Sequence, residues 1–189
     1  RPMKRASSSV VVLATGSTPE ALYKELVRMH KYEGLDFSQV TTFNLDEYVG
    51  LTPDHPASYN AFMEEHLFSK INLPAERAHI PSGRTADIPA ECSAYEDKIV
   101  TAGGIDIQIL GIGVEGHIGF NEPGTSPDSR TGLITLDTVT RRDAAADFFG
   151  EGNVPLEAIT MGIATILESR RIALVATGEH KAQIVKRAV

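Results

Sequence analysis

Cysteine occurs once in the 189 residues, as Cys92. A single thiol excludes an internal disulfide and a cysteine-built zinc site, and it points to a reducing, cytoplasmic setting. Within Ala90 to Tyr95, Cys92 is a small residue of an expected helix with no base set beside it. Long apolar runs are also missing. None approaches the roughly 20 residues that a membrane-spanning helix needs, and the basic start, Arg1 to Ser9, lacks the apolar centre of a secretory signal. Positive charge is in deficit, with 18 Lys and Arg against 25 Asp and Glu, a formal net charge of −7. That balance argues against nucleic acid or an anionic membrane as the main partner. An anionic small molecule stays open, because backbone N–H groups at a helix start bind phosphate even on an acidic protein. There is no internal repeat and no long linker, so one domain of 1–189 is expected. Both of its edges look cut: the first strand starts near residue 10, and the last helix runs into Val189 without a stop signal.

What is present is an alternation of short apolar runs and helical patterns. Val10 to Ala14 is a β-branched run that reads as a buried strand. After a turn, Thr18 is placed to cap a helix and Pro19 to open it, and Leu22, Leu26 and Met29 give it one apolar face to about His30. Further strands are expected at Val40–Asn44, Ile105–Gly111 and Arg171–Ala176. Helices are expected at Ser58–Phe68, Ala90–Ala102, Pro155–Glu168 and from His180 onward. Strand and helix in alternation imply an α/β domain on a parallel sheet, and ligands of such sheets bind beyond the carboxyl ends of the strands.

Three motifs fall at such ends. The first, Thr15-Gly-Ser-Thr-Pro19, joins a strand to a helix. Gly16 permits close backbone approach, the helix start presents unpaired N–H groups, and Thr15, Ser17 and Thr18 add hydroxyls. This is a sound phosphate cradle, although an ordinary capped turn has the same composition. It is neither the dinucleotide fingerprint nor an NTP loop. The second, Phe43-Asn-Leu-Asp-Glu-Tyr-Val-Gly-Leu51, holds adjacent carboxylates. Neighbours on an extended chain point opposite ways, so one of Asp46 and Glu47 can face a crevice as a base while the other holds structure. The third, Gly111 to Gly124, places Glu115, His117 and Glu122 in a glycine-rich loop after a strand. A histidine flanked by acids is suited to moving protons near neutral pH. A metal is less well supported, since His55 is remote in sequence. His30, His55, His66, His79 and His180 fit helix faces or turns. Lys181, just before the last helix, can reach an anion in the same crevice.

Taken together, Thr15–Pro19, Asn44–Leu51 (NLDEYVGL) and Gly116–Pro123 (GHIGFNEP) resemble the glucosamine-6-phosphate deaminase family, with His55–Tyr59, Ser129–Thr131 and Ala158–Gly162 also similar. The resemblance runs from about residue 10 to the end. It implies a Rossmann-like α/β fold, an open and mostly parallel sheet with helices on both faces. It implies no metal and no cofactor, a small sugar phosphate as partner, and an enzyme of the hydrolase/isomerase kind; a homo-oligomer is compatible with it. By resemblance, Asp46 would take and shuttle the C2 proton, His117 would open the pyranose ring, Glu122 would orient His117, and Thr15, Gly16, Ser17, Thr18 and Lys181 would hold the 6-phosphate. Glu115 stands where the family usually has Asp or Asn. Gly132 and Ile134 replace the basic pair of effector-responsive members. Asp147, before Phe148 and Phe149, replaces an Arg for the substrate phosphate, and Arg141 or Arg142 are the expected substitutes. The competing expectations are a 6-phosphogluconolactonase-like hydrolase, disfavoured by Asn121-Glu-Pro123, and a sugar-phosphate sensor domain, which would need no proton-transfer set.

Overall fold

The computed structural model describes residues 8–113 and 115–188. In chain order the elements are β1 (Val10–Leu13), α1 (Glu20–Glu33), β2 (Thr41–Asn44), β3 (Asp46–Tyr48), α2 (Tyr59–His66), β4 (Ala78–His79), α3 (Ile88–Thr101), β5 (Ile107–Leu110), β6 (Gly132–Thr135), α4 (Thr138–Ala144), β7 (Glu157–Thr160), α5 (Ile163–Leu167), β8 (Ile172–Leu174) and α6 (Ala182–Ala188). Five strands form a parallel sheet in the order β4-β2-β1-β5-β8.

The central strand β1 explains why the sheet is covered on both faces. Its side chains alternate. Val10 and Val12 pack with Phe43, Tyr95, Ile99 and Ile166, joining the sheet to α3 and α5. Val11 and Leu13 pack with Tyr23, Val27, Met63 and Leu67 of the α1 and α2 side. A continuous apolar run is what a strand buried on both faces requires. The α/β, mostly parallel architecture expected from the sequence is therefore the one observed.

A second, antiparallel sheet, β3-β7-β6, was not legible beforehand. The chain enters it directly from β2 through Leu45, whose N–H donates to Leu13 O (3.2 Å) while its carbonyl accepts from Met161 N (2.7 Å). Asp46 is thus the first residue after the chain leaves the parallel sheet. The helix expected over Pro155–Glu168 is corrected: it is strand β7 followed by the short helix α5. Ala158, Ile159 and Thr160 pair with β3 on one side and β6 on the other. Gly162 then separates strand from helix where a Cβ would lie 2.2 Å from Ser129 O.

Helix starts follow local chemistry. Ser58 accepts from Ala61 N (3.0 Å) at α2, and Asp87 accepts from Ala90 N (3.0 Å) at α3. The start of α1 differs from expectation. Pro19 is the N-cap rather than the first helical residue, and neither it nor Thr18 supplies a side-chain cap. Glu96 of α3 locks the two sheets together, accepting from Thr131 N (2.9 Å), Thr131 Oγ1 (2.5 Å) and Thr165 Oγ1 (2.7 Å). Cys92 is a buried free thiol on α3.

Candidate active site

A pocket of about 260 Å3 opens at the carboxyl ends of β1, β2 and β5. Residues from all three motifs line it: Thr15, Gly16, Ser17 and Thr18 from the first, Asp46 from the second, His117 from the third, with Lys181 on the rim. Topology alone brings them together, because β1, β2 and β5 are neighbours in the sheet though distant in sequence.

Each loop has a local reason for its shape. At the first, Gly16 has φ +92°, which only glycine adopts without strain. The start of α1 carries no side-chain cap, and Gly16, Ser17 and Thr18 just before it line the pocket, so the positive dipole end of the helix lies beside it. Among the described residues, Lys181 is the one fixed cation that lines the pocket.

The Asp46–Glu47 pair divides as the alternation argument requires. Glu47 turns away from the pocket and holds the start of α2, accepting from Tyr59 N, Asn60 N and Asn60 Nδ2 (each 3.1 Å) and from Tyr48 N (2.9 Å). Burial raises its pKa, and these hydrogen bonds oppose that rise. Asp46 lines the pocket while being buried. Desolvation, with a smaller contribution from the Glu47 charge, pushes its carboxyl up to about 8. A desolvated carboxylate is a stronger base than one in water, and its pKa lies near neutral working pH.

In the glycine-rich loop, His117 packs flat over Gly113, where a Cβ would lie 2.2 Å from its ring. Gly113 N donates to His117 O (2.9 Å). Asn121 pins the loop by donating from Nδ2 to Ile118 O (2.9 Å) and Met161 O (2.8 Å). Glu122 sits behind His117, its Oε2 3.8 Å from His117 Nδ1. Glu115 is solvent-exposed and does not line the pocket. The loop turns at Gly116 (φ +98°) and sends the residue before it outward.

Arg141 and Arg142 do not line the pocket either. Arg141 donates to the carbonyls of Glu151 (3.0 Å) and Val154 (3.5 Å), and Arg142 lies 3.8 Å from Glu151. Asp147 is exposed on an adjoining hollow that shares Gly16, Ser17, Tyr59 and Phe120 with the pocket. Sequence reasoning missed Tyr59, a half-buried lining residue whose hydroxyl is 3.4 Å from that of Tyr48. Its signal was its place one residue after the Ser58 cap of α2. Among the described residues no group of three His, Cys, Asp or Glu could hold a metal ion, and no helix is long and apolar enough to cross a membrane.

Comparison with known proteins decides the lineage: the family model of glucosamine-6-phosphate isomerases/6-phosphogluconolactonase matches residues 2–189. The chain belongs to this family. Within it, the chain is 52% identical over 184 residues to a glucosamine-6-phosphate deaminase of Bacillus velezensis, covering 97% of this chain and 76% of that protein. It is 53% identical over 182 residues to glucosamine-6-phosphate deaminase 1 of Giardia intestinalis, covering 95% and 68%. A solved monomeric glucosamine-6-phosphate deaminase superposes with TM-score 0.93 at 49% identity, covering 95% of this chain and 74% of that one. The 6-phosphogluconolactonase of Thermotoga maritima superposes with TM-score 0.74 at 22% identity, over 95% of this chain and 75% of that one. That likeness shows the shared fold alone and lends no support to a hydrolase label. The family membership and the Rossmann-like fold expected from the motifs therefore stand.

Proposed function

We propose that the chain is a glucosamine-6-phosphate deaminase, coupling aldose–ketose isomerisation to deamination so that glucosamine 6-phosphate yields fructose 6-phosphate and ammonia. The observation that carries the reading is the desolvated Asp46 carboxylate facing the same pocket as His117 and the α1 phosphate cradle. The roughly 50% identity to named deaminases supports it.

The chemistry needs three things: a base beside C2, a proton carrier at the ring oxygen, and an anchor that fixes both distances. The Thr15–Thr18 loop and Lys181 hold the 6-phosphate, so binding energy far from the reacting carbons becomes alignment. His117 delivers a proton to the ring oxygen as the pyranose opens, and Glu122 balances the charge on the imidazole. Asp46 then removes the C2 proton and returns it at C1, which leaves an imine at C2; water adds to that carbon and the C–N bond breaks, giving the keto sugar and ammonia. Glu115, turned to solvent, carries no step. With Asp147 exposed and both arginines turned away, phosphate binding falls on backbone N–H groups, hydroxyls and Lys181. A single sugar-phosphate domain and a cytoplasmic setting fit a chain whose one cysteine is an unpaired buried thiol.

The test is the release of ammonia from glucosamine 6-phosphate, with fructose 6-phosphate measured in parallel. Equal amounts of both are expected. Binding without release, together with hydrolysis of 6-phosphogluconolactone, would overturn the reading in favour of a lactonase.

A further inference from the structure

We infer that Thr140, on α4, is a positioning residue that aims Glu122 at His117. Thr140 is buried, and its Oγ1 donates a hydrogen bond to Glu122 Oε1. The other carboxylate oxygen, Oε2, is the one 3.8 Å from His117 Nδ1. That nitrogen is buried and has no hydrogen-bond partner. It stands about 1 Å beyond the length of a charge-assisted hydrogen bond. Thr140, Glu122 and His117 therefore form one line from α4 to the pocket, and only His117 lines the pocket itself.

Both ends of the line are anchored. On the α4 side, Asp137 accepts from Val139 N (2.8 Å) at the helix start, and Arg141 Nη2 donates to Glu151 O (3.0 Å) just after Thr140. On the loop side, Glu122 O accepts from Thr125 N (3.0 Å) and Thr125 Oγ1 (2.8 Å). These anchors hold the backbones and leave the Glu122 side chain to rotate, its last torsion being a broad, roughly two-fold rotor. A carboxylate only accepts hydrogen bonds, so the threonine hydroxyl must be the donor that stops this rotation. Which imidazole nitrogen carries the proton is set by the partner of the other nitrogen. The Glu122 carboxylate charge, held with Oε2 3.8 Å from Nδ1, thus favours the ring state that carries a proton on Nδ1.

The experiment compares Thr140→Val, Thr140→Ala and Thr140→Ser in the same chain. The six histidine rings are followed by 15N NMR, with His117 assigned by its loss in His117→Gln. Thr140→Val and Thr140→Ala should shift the His117 ring signals, while Thr140→Ser leaves them in place. This readout does not depend on turnover, so it decides the inference even if the deaminase reading fails. Where ammonia is released, the kinetic measurement rests on that reading. Losing one charge-assisted hydrogen bond should lower kcat about tenfold with KM changed by less than about twofold, and Thr140→Ser should restore kcat. Unmoved His117 signals in both hydroxyl-free variants would overturn the inference, as would a Thr140→Ser variant as slow as Thr140→Val.

Discussion

Replacing Asp46 by Asn should abolish turnover and at the same time stabilise the protein, increasingly so as pH rises. The carboxyl is held at about 8 in the fold, chiefly by burial, against its ordinary value of 3.8 in the unfolded chain. Between those values the folded state keeps a proton that the unfolded state has released. Stability must therefore fall as pH rises, by about 1.4 kcal/mol per pH unit. Below 3.8 both states are protonated and Asp46 costs nothing; above about 8 both are ionised and the full penalty is present. That full penalty is on the order of 6 kcal/mol. An asparagine does not titrate, so the variant lacks this slope. Urea denaturation of both proteins at pH 5 and pH 8 reads the difference. The advantage of Asp46→Asn should grow by roughly 4 kcal/mol over that interval, a midpoint shift of about 2 M urea. An advantage that stays constant with pH would refute the claim that Asp46 is buried with a raised pKa. Turnover equal to the parent protein would refute its role as the base.

The remaining predictions concern the other walls of the pocket. Because the base works deprotonated, kcat/KM for glucosamine 6-phosphate should climb with pH toward about 8; a profile already flat from pH 5 would exclude Asp46 as the group observed. Lys181→Ala should raise KM about tenfold or more, since among the described residues it removes the one fixed cation lining the pocket, and competition by inorganic phosphate should weaken in step. Gly113→Ala places a Cβ 2.2 Å from the His117 ring; the ring must move, and kcat should drop about 100-fold with phosphate binding retained. Glu47→Ala removes the acceptor of three hydrogen bonds at the start of α2 and of one from Tyr48 N in β3 and should cost about 3 kcal/mol in denaturant unfolding.

Local patterns carried much of the fold. The β-branched run at Val10–Leu13 reads as a two-sided buried strand because side-chain alternation is a property of the strand itself. Likewise, the different fates of Asp46 and Glu47 follow from their being adjacent on extended chain. The run from Pro155 reads as helix from sequence because short apolar stretches have no distinctive period. Only pairing with β3 and β6 makes Glu157–Thr160 a strand. Those partners lie far away in sequence, and nothing local announces them.

The sequence by itself determined the chemistry on offer: a glycine turn before a helix, a carboxylate at a strand end, and a histidine among acids. The tertiary structure decided which of these meet. The parallel order of β1, β2 and β5 gathers Thr15–Thr18, Asp46 and His117 into one pocket, and the turn at Gly116 leaves Glu115 in solvent. The same packing turns Arg141 toward backbone carbonyls and sets Thr140 against Glu122. The physical reason is that a residue type fixes which bonds a side chain can make, whereas burial and the choice of partner depend on contacts between segments that no local pattern encodes.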